Sequence, residues 1–432
     1  MKKTFVTLVL AMACAVLSAQ TFDVRERVMD NLQLARGCNY MLDFDVPAPQ
    51  KAPRGYESFY ISHYGRHGAR YYWGENLYLD LRKVLSAAAE GNRLTERGRR
   101  LWEQFDAAYD DLYIHATELS SKGWEQHREI ARRMYSSYPA IFKNNPRIFA
   151  ASSPVGRCQM SMASFCLSLK EQDPKLDVME SASREFYPSI IPFDDRNPFP
   201  EKYEDYPFAW SEPQWSADLG TGSVDYQAIA LRVFTDLDFL SGLRPLPLVV
   251  SDLWNLSINT PCSDVEMDFD GLFTPDEMYF FFARDCAGFY YDCGRNRYQY
   301  IPMLRDYLSR AEAAVEKGEP AVDLRFGHDG ILMAFVILTD MDHFGHRLER
   351  ADQIPVYCPL YRIPMGANLQ MVFYHPKGGK SGEVLLQVLL NGEEVELPFP
   401  AFDGSFYRWS DFKTHYEALI AAHPRLDADT EN

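Results

Sequence analysis

The sequence predicts an α/β fold, a mainly parallel sheet sandwiched by helices and carrying an inserted α-rich cap. Three observations carry this prediction. β-rich runs alternate with helical stretches along most of the chain. Polar, phosphate-competent residues stand at the ends of three of those runs, where an α/β sheet gathers its chemistry. A proline- and aromatic-rich stretch interrupts the alternation in the middle. With 432 residues, 47% of them hydrophobic, the chain can bury a large core and is too long for one simple layer pair.

Residues 1–19 open with Lys2-Lys3, continue as an apolar run from Phe5 to Leu17 and end on Ala19, the layout of a secretory signal peptide. Cleavage there makes Gln20 the mature start and predicts a secreted or periplasmic protein. The rival is a lipoprotein acylated on Cys14, but Ala11-Met12-Ala13 matches a Leu-rich lipobox poorly. No later run approaches the ~18 apolar residues of a spanning helix, so the mature chain is expected to be soluble with no membrane span.

The segment Glu57-Ser58-Phe59-Tyr60-Ile61-Ser62-His63-Tyr64 reads as a buried strand and runs into the turn Gly65-Arg66-His67-Gly68. Helices are expected over 94–109 and 123–138. Similar phrases open them, Leu94-Thr95-Glu96-Arg97-Gly98 and Leu119-Ser120-Ser121-Lys122-Gly123, in which a hydroxyl can cap the helix. A strand over 147–152 and a helix over 156–169 follow. From 185 to 297 the composition shifts to Pro, Asp and aromatics, as in Asn197-Pro198-Phe199-Pro200, with helical character near 227–240 and 275–291. This stretch reads as a cap whose aromatics pack as its own small core. A helix over 300–317 precedes a strand over 321–326, which ends in Gly327-His328-Asp329-Gly330, and a helix over 331–338. The tail supplies a strand over 369–374 and a hairpin, 384–390 with 394–397, turned at Asn391-Gly392. The expected partition is signal peptide 1–19, core 20–184, inserted cap 185–297 and core 298–432.

The formal charge of −17 argues against a nucleic-acid surface, which needs a basic stripe. It also repels anionic substrates, so any phosphate site has to rely on a recessed arginine cluster, effective within a Debye length of about 8–10 Å. Of eight cysteines, Cys14 lies in the leader, which leaves an odd seven. Cys286 and Cys293 form the best local pair, and no CxxC or Cys/His cluster argues for zinc.

The three strand ends supply Arg66-His67-Gly68-Ala69-Arg70, then Ser152-Ser153 leading to Arg157, then His328-Asp329. A neutral imidazole can attack a phosphomonoester that repels anionic nucleophiles, forming a phosphohistidine and dividing hydrolysis into two steps. His67 fits that role. Arg66, Arg70 and Arg157 would hold the phosphoryl oxygens through paired, permanently charged donors. His328 can donate to the same oxygens. The alkoxide leaving group needs a proton, and Asp329 is the candidate acid. No cofactor or metal is required when arginines supply the positive charge, and the expected partner is a small-molecule phosphomonoester.

On these residues the chain resembles the histidine acid phosphatases, the two-domain branch of the histidine phosphatase superfamily that includes phytases, acid glucose-1-phosphatases and multiple inositol polyphosphate phosphatases. Arg66-His67-Gly68-Ala69-Arg70, Arg157 and His328-Asp329 match in order and spacing across about 260 residues. The resemblance implies a secreted phosphoric monoester hydrolase of phytase-like substrate class, with an α/β core and inserted cap. Two features depart from the pattern. Tyr71-Tyr72 follows where the family usually has a proline two residues past the second arginine. His328-Asp329-Gly330 replaces the His-Ala-Glu of the inositol polyphosphate branch, although Ile363-Pro364-Met365-Gly366-Ala367-Asn368-Leu369 looks like that branch. A sugar-phosphate phosphatase, a non-catalytic secreted binder of phosphorylated ligands and, more weakly, a mutase are the alternatives.

Other polar residues have plainer readings. His63 is expected to be packed or hydrogen-bonded, and His343 and His346 to sit in a solvated loop rather than a metal site. Arg97, Arg99, Arg100 and the pair Arg132-Arg133 are expected on solvated helix faces.

Overall fold

The structure is a computed structural model and describes residues 24–208, 219–379 and 382–426. The expected signal peptide and Cys14 lie outside the described residues. Its frame is one mixed sheet of eight strands: β1 (Tyr56–Arg66), β2 (Arg147–Ser152), β3 (Val178–Ser181), β4 (Ala321–Gly327), β5 (Asn368–Pro376), β6 (Leu385–Leu390), β7 (Glu393–Glu394) and β8 (Phe406–Arg408). The order is β3-β2-β4-β1-β5-β6-β7, with β8 also on β6. β3, β2, β4 and β1 run parallel, whereas β5 joins β1 antiparallel and opens the hairpin half. Helices of ten residues or more are numbered α1 (Asn76–Glu90), α2 (Glu96–Ile114), α3 (Ser121–Ser137), α4 (Gly156–Gln172), α5 (Leu246–Asn259), α6 (Pro275–Arg295), α7 (Ile301–Lys317), α8 (Asp329–Leu338) and α9 (Trp409–Ala422).

The period-two alternation of the strands divides the core between the two faces of the sheet. Ile61, Ile148, Ala150, Val322, Leu324 and Phe326 point to one side and pack on Ile130 and Met134 of α3 and Phe165 and Leu169 of α4. Tyr60, Tyr64, Phe149 and Phe373 point to the other and join the cluster that contains α6, α7 and α8. Both faces are covered, so β1 from Ser58 onward and the whole of β4 are buried. The two charges inside β4 are satisfied: Asp323 accepts from Tyr60 Oη at 2.8 Å, and Arg325 pairs with Asp306 at 2.5 Å.

Thr95 and Ser120 cap α2 and α3 as their position suggests, each accepting a backbone N–H from the glycine three residues on, Gly98 and Gly123. Two readings need correction. The helical stretch expected near 227–240 is two short helices, Tyr226–Ala230 and Leu237–Leu243, because Asp236 takes an extended backbone and caps a fresh start by accepting from Phe239 N. Cys286 and Cys293 are not a disulfide, and all seven described cysteines are free. Both lie on α6, where seven residues advance about 10 Å along the axis, beyond the reach of a disulfide at roughly 7 Å between Cα atoms.

The aromatics of the middle segment do pack on one another, with Trp254 stacked on Phe281 at 5.1 Å and Phe273 edge-on to both. They share that cluster with α1 and α2, which come from the first part of the chain. Leu94 pairs with Phe234, and Thr95 N donates to Val233 O at 2.9 Å. No helix among the described residues is long and apolar enough to cross a membrane.

Candidate active site

Strand register brings the three sequence motifs together. Arg66 is opposite Gly327 across β1 and β4, and Ser152 is opposite Phe326 across β2 and β4. The carboxyl ends of these parallel strands therefore stop in one row. Arg66 closes β1, Ser153 leads into α4, whose second residue is Arg157, and His328 precedes Asp329, the first residue of α8.

The turn after β1 is held by backbone contacts from every side. His67 N donates to Gly327 O at 3.0 Å, and His67 O accepts from Gly366 N at 3.0 Å. Gly68 N donates to Ser161 Oγ at 3.1 Å and Ala69 N to Gln126 Oε1 at 2.7 Å. The start of α3 presses so close that a Cβ on Gly68 would lie 2.4 Å from Gly123 O, and one on Gly123 would lie 2.1 Å from Ala69 O. Only two glycines fit there. The phrase Leu119 to Gly123 thus has a second duty beyond capping.

His67 is buried, and its Nδ1 is 2.9 Å from Gly68 O. A carbonyl can only accept, so the proton sits on Nδ1 and Nε2 keeps its lone pair. Burial first, and then Arg66, Arg157, Arg70 and His328, hold the imidazole well below the ordinary histidine value. The ring is neutral across the mildly acidic range.

Arg66 is fully buried. Its Nη1 donates to Cys38 O at 2.6 Å and Ile363 O at 2.8 Å, and its Nη2 contacts Asp329 Oδ2 at 2.7 Å. Arg70 donates from Nη1 to Tyr71 O, and burial together with Arg66 lowers it to about 10. The Nε atoms of Arg66, Arg70 and Arg157 are buried donors without a hydrogen-bond partner. Unpaired donors and crowded positive charge are costly in a folded interior unless an anion meets them.

Asp329 accepts from Gly330 N at 2.9 Å in addition to its contact with Arg66. Burial pushes its carboxyl up, but Arg66, Arg70 and the Gly330 N–H outweigh that and hold it at about 2. His328 is lowered to about 4, by burial first and then by Arg157. Its Nδ1 is 3.5 Å from Arg157 Nη2 and its Nε2 is 3.2 Å from Ser153 Oγ. Arginine only donates, so Nδ1 accepts and Nε2 bears the proton. His328 thereby steadies Arg157 while its ring meets that of His67 edge-on at 5.9 Å.

His67, Arg70, Arg157 and Asp329 line a cavity of about 850 Å³, and Arg66 lies beneath it. Its outer wall comes from residues the sequence did not single out for a site, among them Arg36, Trp73, Asn255, Arg284 and Asp292. Each is an ordinary polar or aromatic residue of a turn or helix, with no local motif around it. Gly68 belongs to the turn that the sequence marks, whereas Gln126 lies on α3 three residues past the phrase that opens it.

The two departures from the family pattern have structural outcomes. Tyr71 is buried and donates to Asp111 Oδ2 at 2.9 Å, while Tyr72 and Trp73 reach the cavity. The Ile363 to Leu369 segment braces the His67 turn, since Ile363 O, Ala367 O and Gly366 N all bond to Arg66 or His67. Gly366 has φ +80°, a conformation that favours glycine.

His63 is fully buried, its ring against Phe165 and Phe326. His346 stacks on Tyr357, and His343 lies 3.6 Å from Glu396. Among the described residues no group of three His, Cys, Asp or Glu is placed to hold a metal ion. Arg100, Arg132 and Arg133 make helix-surface ion pairs with Glu96 and Glu129, and Arg97 donates to Gly271 O.

No family model matches the chain. The sequence is 23% identical over 336 residues to multiple inositol polyphosphate phosphatase 1 of Homo sapiens, an alignment that covers 70% of this chain and 66% of that protein, just short of two thirds of its length. The multiple inositol polyphosphate phosphatase of Bifidobacterium longum, solved with inositol hexasulfate, superposes with a TM-score of 0.66 at 17% identity, covering 92% of this chain and 100% of that one. The phytase from D. castellii gives a TM-score of 0.63 at 15% identity, covering 90% and 85% of the two chains. The chain is therefore a homologue of the multiple inositol polyphosphate phosphatases, built on the fold that they share with a phytase.

Proposed function

We propose that the chain is a phosphomonoesterase acting on inositol phosphates, with His67 as nucleophile and Asp329 as general acid. The observation that carries this reading is the fixed tautomer of His67: a neutral imidazole with its Nε2 lone pair free, set among three guanidiniums, two of them buried, whose Nε donors are unused. The names of its relatives supply the substrate class.

In the first step Nε2 attacks phosphorus, the P–N bond forms and the ester P–O bond breaks. Arg66, Arg70 and Arg157 stabilise the charge on the equatorial oxygens. The departing alkoxide takes its proton from Asp329. Water then attacks the phosphohistidine, Asp329 accepts a proton from it, and inorganic phosphate leaves with His67 restored. His328 would orient Arg157 and, on ligand binding, turn a donor to the phosphoryl oxygens. Helices α5 and α6 of the 185–297 segment would form the cap over the leaving group.

Purified protein incubated near pH 5 with inositol hexakisphosphate and with an inositol monophosphate should release inorganic phosphate from at least one of them. Binding of either without release would favour a secreted phospho-ligand binder instead. Export to the periplasm or medium rests on Lys2-Lys3 and the apolar run after it. The intact mass of the exported chain should correspond to a start at Gln20, and a retained leader would overturn that reading.

A further inference from the structure

Resting on the phosphatase reading above, we infer that the outer half of the pocket selects its substrate by phosphate count, and that Asp292 on α6 is the discriminating residue. The favoured ligands are inositol phosphates and related polyol phosphates that carry free hydroxyls beside the reacting ester, and the fully phosphorylated ring is disfavoured.

The pocket changes character from floor to mouth. Its floor is cationic, built from Arg66, Arg70 and Arg157, and one phosphoryl group uses all three. The outer wall is charge-balanced: Arg36 and Arg284 face the cavity together with Asp285 and Asp292. Arg284 is already committed, with Nε and Nη2 at 3.3 and 3.2 Å from Asp285 Oδ1 and its guanidinium over the Phe281 ring. Asp285 also accepts from Trp254 Nε1 at 3.2 Å. Arg36 is then the one arginine of the wall with no carboxylate partner among the described residues, too little to meet the remaining phosphates of a fully substituted ring.

Asp292 adds repulsion. Asp285, Phe289 and Asp292 recur at i, i+4 and i+7, so one stripe of α6 faces the cavity. The Asp292 carboxylate is exposed and has no ion-pair partner among the described residues. The stripe is placed close to the reacting centre, because Cys293 Sγ donates to Gly330 O at 3.5 Å, beside Asp329. A second phosphate on the ring therefore meets a negative charge, whereas a hydroxyl meets an acceptor.

The mouth has a matching apolar element. Tyr72, Trp73 and Phe289 also line the cavity, and Trp73 is 63% exposed. Flat aromatic faces suit the C–H face of a cyclitol or sugar ring, and they offer nothing to a phosphate dianion. Aromatic surface beside a free carboxylate is recognition chemistry for a hydroxylated ring.

The test compares kcat/KM for inositol hexakisphosphate and for an inositol monophosphate in the wild type, Asp292→Asn and Asp292→Lys. Removing the charge should raise the hexakisphosphate-to-monophosphate ratio about three- to tenfold, the scale of one partly screened charge, and lysine should raise it further. The gain should shrink at 0.5 M salt. A ratio within twofold of wild type in both variants, with melting temperatures unchanged, would overturn the inference. So would a shift toward the monophosphate. Failure of the underlying reading looks different, because the wild type would then release no phosphate from either substrate.

Discussion

His67→Ala is expected to lower phosphate release from an inositol phosphate by about four orders of magnitude or more, the scale seen when a covalent nucleophile is removed. No neighbour is placed to substitute. The ring nitrogens of His328 already face Arg157 and Ser153. Phosphate binding should survive, since Arg66, Arg70 and Arg157 all remain, and added phosphate should still raise the melting temperature of the variant. Loss of turnover with retained phosphate stabilisation separates a nucleophile from a histidine that merely holds the turn. Activity within tenfold of wild type would remove His67 from the mechanism. In the wild type the acid limb of kcat/KM reports protonation of His67. Because burial and three arginines push that group down, the limb should fall well below the ordinary histidine range.

Asp329→Asn should lower kcat on an alkyl phosphate by about 10²- to 10⁴-fold, the usual worth of a positioned acid. KM should stay level or fall, because the substitution takes a negative charge away from Arg66. The loss should be much smaller on p-nitrophenyl phosphate, whose leaving group is a weak base. Equal losses on both esters would show that Asp329 positions Arg66 instead of moving a proton.

The depressed carboxyl also says where the proton comes from. At about 2, Asp329 is ionised in the free protein throughout the working range. The substrate must then bring the proton as a monoanion, which phosphate esters are below about pH 6, and pass it to Asp329 as the dianion settles among the arginines. Wild-type kcat/KM should therefore fall above about pH 6, and that basic limb should flatten in Asp329→Asn. Stability follows the same group. A carboxyl with a folded value below its unfolded one stabilises the protein above the unfolded value and loses that contribution as pH falls through about 2. Near neutrality the variant should melt lower than wild type, with the gap closing toward pH 2.

Short range explains what could be read early. Arg66, His67 and Arg70 fall within five consecutive positions at one strand end, and His328-Asp329 are adjacent at another, so local pattern alone marks them. The amphipathic period that marks α2, α3, α6 and α7 is likewise local. Three longer elements escaped, α1, α5 and α9. The run of α5, Leu246 to Asn259, is buried on many sides and so lacks a clear polar face. Cys286 and Cys293 misled because spacing along the chain says nothing about distance until the helix is known.

From sequence alone, then, came the α/β class, the three motif-bearing strand ends, the identity of His67, Arg157 and Asp329 as candidates, and the deficit of positive charge that any phosphate site must overcome. Each is a property of a few neighbouring residues or of bulk composition. Tertiary structure decided the rest. The parallel register of β2, β4 and β1 makes the three ends coincide, and Gly68 O selects the tautomer of His67. Burial beside Arg66 sets the charge of Asp329. Packing of α6 against the start of α8 brings Asp292 to a pocket some 37 residues away in sequence from the acid it flanks. These outcomes depend on which groups share a low-dielectric space, and that is settled only when segments distant in sequence fold against one another.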